Sequence, residues 1–216
     1  MLGALQLAFI DSVNLLLIGV IVAVGIAARH NYAKTTALLI AGDWCGVAGL
    51  ALIMLVIFDG LGPVVQRFVE GPVFGILLIA TGILTAFLAL RGGDNQALTQ
   101  KIMRPLHIPG PATVATGVVL GLIQSATSMP FYGGLALLSA AGLEAQVRYA
   151  AIPLYATVAL SLPTLAALAV GWVRAKPHSA AARGFDWARA HPDQVTAAAT
   201  WSVAVLLIVL GVTHVM

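Results

Sequence analysis

Along the chain, apolar residues come in long runs, and polar positions gather between the runs instead of alternating within them. Each run has the roughly 20 residues that an α-helix needs to cross a hydrocarbon core about 30 Å thick. Six can be drawn, over 4–28, 34–58, 69–90, 112–141, 147–173 and 195–215. Inside lipid, backbone polar groups are satisfied only by helices or by a closed barrel. Barrel strands alternate apolar and polar positions, and these runs do not. The pattern therefore predicts an all-α, polytopic membrane protein with six transmembrane helices.

Composition agrees. The 216 residues are 60% hydrophobic and 9% charged, with a mean hydropathy of +0.99, whereas soluble domains carry about 25% charged residues. The net charge of +3 sits in short connections beside apolar runs and not in a stripe, so it points to a membrane and not to nucleic acid. The single cysteine, Cys45, lies inside an apolar run, which leaves no disulfide framework and no metal-type cysteine spacing. The first run follows Met1 with no basic stretch before it and with Asp11 inside it, so it is expected to be a retained span and not a cleaved signal peptide.

Orientation follows from the basic residues. The first connection has Arg29 and Lys34; the third has Arg91, Lys101 and Arg104; the fifth has Arg174, Lys176, Arg183 and Arg189. The second and fourth have only Arg67 and Arg148. Lys and Arg concentrate on the cytoplasmic side, so the odd connections are expected inside and both termini outside, in a bacterial-type inner membrane. Residues 1–90 then form one three-helix repeat, 91–111 a cytoplasmic linker, and 112–216 a second repeat of opposite direction, all in one membrane domain. A shift of 114 residues sets Asp11 on Ser125, Asn14 on Ser128, Gly19 on Gly133 and Lys34 on Arg148. Inverted repeats of this kind are common in secondary transporters, whose site lies where the halves meet. The fifth connection, with Phe185 and Trp187 among Arg183 and Arg189, has the composition of an interfacial helix.

Polar residues inside the runs are the candidate machinery. An ionised side chain at bilayer depth costs at least ~2.5 kcal/mol, so it should face a partner or a wet cavity. Asp11 lies roughly 10 Å from the outer end of the first span and Asp43 roughly 13 Å from the inner end of the second, at 1.5 Å per residue. Both fall near mid-membrane, where they can share one cavity, bind a cation if one is carried, or exchange protons. Asn14 shares a side of its helix with Asp11. In the fourth span Gln124, Thr127 and Ser128 fall at helical spacing with Ser125 alongside, and Pro130 frees the carbonyl of Ala126 from its usual bond. Thr157 and Ser161, one turn apart on the fifth span, are placed to complete the ring. The competing reading of each hydroxyl or amide is helix–helix packing. Asp59 and Glu70, at the outer edge, are expected to be solvated, and the Gly42/Gly46 spacing suits either a homodimer or packing within one chain.

No phosphate-binding glycine loop, no HExxH and no Gly-x-Ser-x-Gly elbow is present. His30, His107, His178, His191 and His214 are scattered. An enzyme and a bound cofactor are therefore not expected.

AFIDSVNLLLIGV, LIAGDWCG and GLIQSATSMPFYGGLALL resemble the lysine-exporter (LysE) superfamily, within it the glycolipid-addressing (Gap/Sap-like) and cadmium-resistance-type branches. The resemblance implies an inverted three-plus-three fold and export of amino acids, cations or lipid-linked molecules. The layout is also similar to thiol-electron conductors of the CcdA type, but those carry cysteines on the first and fourth spans. Asn14 and Ser128 stand in that neighbourhood here, which argues against electron transfer. The expectation is a proton- or cation-coupled exporter, with Asp11 and Asp43 as the charge-handling pair, Asn14, Gln124, Ser125, Thr127, Ser128 and Thr157 as polar ligands, and Pro130 at the gate. A lipid-headgroup translocator or addressing factor on the same fold, and a non-transporting subunit that scaffolds a membrane complex, are the alternatives.

Overall fold

The computed structural model describes residues 2–27, 31–91, 108–176 and 190–215, together with Leu106, Ser179, 183–184 and 186–187. Among these residues the chain is helical, with turns and bends between the helices and no strand. In order the helices are α1 (Leu2–Asp11), α2 (Leu15–Ala27), α3 (Tyr32–Gly60), α4 (Gly62–Glu70), α5 (Pro72–Arg91), α6 (Pro111–Ala126), α7 (Met129–Ser139), α8 (Ala145–Ala150), α9 (Ile152–Ala159), α10 (Ser161–Ala175) and α11 (Pro192–Val215). Most of the linker expected over 91–111 lies outside the described residues, as do Arg29, Phe185 and Arg189, so the expected interfacial helix is described only in part.

Among the described residues only α3 is, within one unbroken helix, long and apolar enough to cross a membrane; up to five crossings result if each bent helix pair counts as one. The bends measure 46° between α1 and α2, 65° between α4 and α5, 77° between α6 and α7, and 42° at the start of α10. The last has a local cause. Pro163 has no N–H to give the carbonyl of Ala159, and Leu160, between the two helices, leaves the helical region at φ −106°, ψ 12°. Large apolar side chains such as Leu52, Ile53, Val56, Ile76 and Ile83 are exposed on α3 and α5. A patch of that kind suits contact with lipid better than contact with water.

Two helix pairs carry the most extensive packing, α3 on α6 and α5 on α11. The first is a mutual glycine seam. A Cβ on Gly42 or Gly46 would strike the backbone carbonyls of Val114 or Val118, and one on Gly117 or Gly121 would strike those of Leu39 or Asp43. Four-residue glycine spacing on both helices lets the backbones close in. The Gly42/Gly46 pair is thus used for packing within one chain. Gly82 and Gly211 play the same part between α5 and α11.

Direction is fixed at both ends of α3. At its C-terminal end Asp59 accepts a hydrogen bond at 2.9 Å from Arg148 of α8, in an ion pair whose side chains are mostly buried. At its N-terminal end Arg174 of α10 lies 5.1 Å from the centre of the Tyr32 ring and donates to the carbonyl of Gly25. The α8–α10 segment therefore runs antiparallel to α3. Asp59, expected to be merely solvated, is instead the partner of Arg148 and also accepts from the Ser139 hydroxyl at 2.6 Å. The reason is tertiary: an arginine 89 residues away arrives at that end of α3. Glu70 is exposed and accepts from Gln66 on its own helix.

Candidate functional site

Two broken helices face each other. The first break falls at Ser12–Asn14. Ser12 is buried and donates back to the carbonyl of Phe9, while the side-chain oxygen of Asn14 accepts from the backbone N–H of Leu17 at 3.0 Å. Asn14 therefore caps α2, answering one of the N–H groups that a helix start leaves without a partner. The second break falls at Thr127–Ser128. Ser128 turns extended (φ −93°, ψ 114°), and its hydroxyl oxygen accepts from the N–H of Phe131 at 3.2 Å, capping α7. Pro130 sits in the first turn of α7, where a missing N–H costs nothing.

The two caps reach across the gap. The Ser128 hydroxyl donates to Asp11, and the Asn14 amide donates to the side-chain oxygen of Gln124. Gln124 then donates its own amide to both carboxylate oxygens of Asp43, at 3.0 and 2.9 Å. Asn14, Gln124 and Asp43 thus form one relay from the first break, through α6, into α3. The glycine seam makes the last step feasible: Gly121 lets α6 lie against the backbone of Asp43, so Gln124, one turn on, can reach its carboxylate.

A cavity of about 270 Å³ opens between the breaks, lined by Asp11, Asn14, Gln124, Thr127 and Ser128 on its polar side and by Val13, Val47, Ala159 and Leu160 on its apolar side. Asp43 is fully buried and stands behind Gln124, away from the lining. The cavity thus offers one carboxylate directly and a second through an amide. No group of three His, Cys, Asp or Glu gathers among the described residues.

Other expected ligands fall elsewhere. Ser125 is fully buried, its hydroxyl has no hydrogen-bond partner among the described residues, and it does not line the cavity. Thr127 lines the cavity, but its hydroxyl is turned onto its own helix, donating to the carbonyls of Ile123 and Gln124. Thr157 is exposed, donates to the carbonyl of Pro153 at 2.7 Å and accepts from the Trp44 indole at 3.2 Å. It therefore stands outside the ring. Ser161 likewise lies off the lining, with no partner for its hydroxyl among the described residues. The carbonyl of Ala126, which Pro130 leaves without its helical partner, accepts from the Tyr132 hydroxyl at 3.1 Å. The pattern of apolar runs gave no sign of Tyr132, because its reach back over the break depends on the 77° turn.

A family model described as Sap, sulfolipid-1-addressing protein, matches residues 5–213 of the chain. Of the resemblances raised by the sequence, this supports the glycolipid-addressing branch. No curated protein and no solved structure matches the chain.

Proposed function

We propose, starting from the fact that the chain belongs to the Sap, sulfolipid-1-addressing protein, family, that it is a bacterial inner-membrane carrier that moves or addresses the polar headgroup of an anionic glycolipid. The fold we read for it is six spans in two inverted three-helix repeats, with both termini outside. Three observations support that fold. Asn14 and Ser128, set on each other by the 114-residue shift, each cap the second half of a broken helix through a side-chain oxygen on the third N–H. The helices that follow, α3 and α8–α10, run antiparallel. The ends of α3 and α10 that carry Lys34, Arg174 and Lys176 lie together, and the opposite end carries the Asp59–Arg148 pair.

The observation that carries the functional reading is the cavity between the breaks, with Asp11 at its wall and Asp43 behind the Gln124 amide. Broken spans place helix starts and polar side chains at membrane depth, where a polar group must find partners to cross. A headgroup hydroxyl can donate to Asp11 or accept from the Asn14 and Gln124 amides. At about 270 Å³ the cavity is just below the roughly 300–1,000 Å³ of small-molecule sites, which suits a headgroup fragment and not a whole lipid. Asp11 and Asp43 are assigned the charge handling, with proton or cation coupling through that pair. No chemical step is assigned to the chain.

The test is translocation of a fluorescent anionic glycolipid in proteoliposomes, for the native chain and for Asp11→Asn and Asp43→Asn. Loss of flux in correctly folded variants supports the reading. Native flux in both variants removes the acids from the mechanism. Flux of small amino acids or cations in place of lipid would return the function to a solute exporter, and an ionophore that abolishes flux would establish the coupling.

A further inference from the structure

A second cavity lies on the outer wall of the bundle, between α3 and α10. It is a trough of about 870 Å³, about three times the polar one, and apolar almost throughout. One bank is α3, where Ala33, Ala37, Ala41 and Cys45 recur every four residues, all exposed. The other is α10, with Thr164, Leu168, Gly171 and Trp172. Small residues on one bank and a glycine on the other leave the space between these helices unfilled. The contrast with the glycine seam on the other flank of α3 is direct: there Gly42 and Gly46 meet backbone, here Ala33, Ala37, Ala41 and Cys45 are exposed and Gly171 faces the Tyr32 ring.

Its length and its ends identify an occupant. From Tyr32 to Trp44 the trough runs twelve residues, or about 18 Å at 1.5 Å per residue. One leaflet of a hydrocarbon core is about 15 Å deep. The mouth, at the Tyr32 and Trp172 end, is basic. Lys176 lies 4.5 Å from the centre of the Trp172 ring, Arg174 lies over Tyr32, and the exposed Lys34 is one turn into α3. Aromatic rings with lysine and arginine at the end of an apolar slot match the headgroup level of a membrane, and their charge suits an anionic headgroup. The deep end lies one turn from the polar cavity: Trp44 is one turn from Val47, and Thr164 one turn from Leu160, and Val47 and Leu160 both line the cavity.

We propose that this trough is a lateral docking groove for an anionic lipid of the inner leaflet, with its acyl chain between α3 and α10 and its headgroup at Lys34, Arg174 and Lys176. This rests on the lipid reading above and adds where the tail lies. The Trp44–Thr157 hydrogen bond then stands at the border between groove and cavity.

The test uses the full chain in phosphatidylcholine vesicles doped with phosphatidylglycerol or phosphatidylcholine carrying the same photoreactive tail. Crosslinks should concentrate on residues 33–45 and 164–172, and the anionic probe should exceed the zwitterionic one at least threefold. Ala41→Phe, which fills the trough, should reduce those crosslinks about fivefold, and the unsubstituted chain's crosslink map stands by itself if that variant does not fold. Lys34→Gln with Lys176→Gln should erase the anionic preference and leave the tail position unchanged. Crosslinks spread evenly over exposed positions such as Leu52, Val56 and Ile83, or equal labelling by both probes, would overturn the groove. So would an oxidative Cys45–Cys45 crosslink between two copies that displaces the probes, since the trough would then be a dimer face. A chain that labels as expected but moves no headgroup would sink the translocation reading and leave the groove standing.

Discussion

The first bend, at Ser12–Asn14, turns the chain by 46° without a proline, whereas the second, at Thr127–Ser128, turns it by 77° with Pro130 two residues on. Both restart a helix with a side-chain oxygen on the third N–H, from Asn14 in one case and Ser128 in the other. Both caps also bond to the opposite broken span, Asn14 to Gln124 and Ser128 to Asp11. What the two share is therefore the polar cap and the cross-link, and what they do not share is the proline. Hydrogen bonds between the halves join the two bends, and Pro130 stands in the first turn of a helix that Ser128 caps.

The largest effect should come from the acid that joins the breaks. Asp11→Asn keeps an oxygen for Ser128 to donate to, so both bends should survive while headgroup flux falls tenfold or more; normal flux in a folded variant would mean that Asp11 serves only the second cap. Next comes Gln124→Leu, which strips Asp43 of its amide donor and Asn14 of its acceptor. Leaving a buried polar group unpaired costs about 1–3 kcal/mol, more if it is charged, and denaturant titration in detergent should show a loss in that range. A loss below ~0.5 kcal/mol would mean that the relay is not a stabilising link.

Removing each cap compares the bends directly. Ser128→Ala and Asn14→Ala should each cost about 1 kcal/mol, the usual worth of a polar N-cap. The double variant should depart from additivity, because both caps join one network. Strictly additive losses would make the two bends independent. Pro130→Ala should have the smallest effect, under ~1 kcal/mol in either direction, since the site already accepts a proline backbone and the main change is in the unfolded chain. Spin-label distances between α6 and α7 should stay as they are. A straightened helix in that variant would restore proline as the hinge and break the comparison.

Much of this was legible in the residues and some was not. The runs gave α3 nearly to its ends, because a long apolar segment must satisfy its backbone within itself. QSATSMP, with Pro130, marks the interruption after α6. FIDSVN reads as part of one continuous span with Asp11 and Asn14 on one helix side, and the structure instead ends α1 at Asp11 and restarts the helix after Asn14. Helical spacing also put Gln124, Thr127 and Ser128 on one side, and all three line the cavity. It did not reveal that the Thr127 hydroxyl folds back onto its own turn, since a threonine inside a helix can bond to a carbonyl one turn behind it. Nor did it set Thr157 facing outward, because the angle of the α8–α10 segment about its own axis depends on what α3 offers it. The pairing of Asp59 with Arg148 was invisible for a similar reason: a charge at the end of a run looks solvated until another end arrives.

Sequence by itself determined that the chain is helical and built for lipid, and which side chains are too polar to lie idle there; length, apolarity and the cost of unpaired groups suffice for that. Tertiary structure alone decided which of them meet. Asp43 is tied to Gln124 and Asp11 to Ser128 across 81 and 117 residues, because glycines bring α3 and α6 together and two bends turn their caps inward. Periodicity orients a side chain about one helix axis. It carries no information on the distance and angle between two axes, and those place one acid at the cavity wall and the other behind an amide.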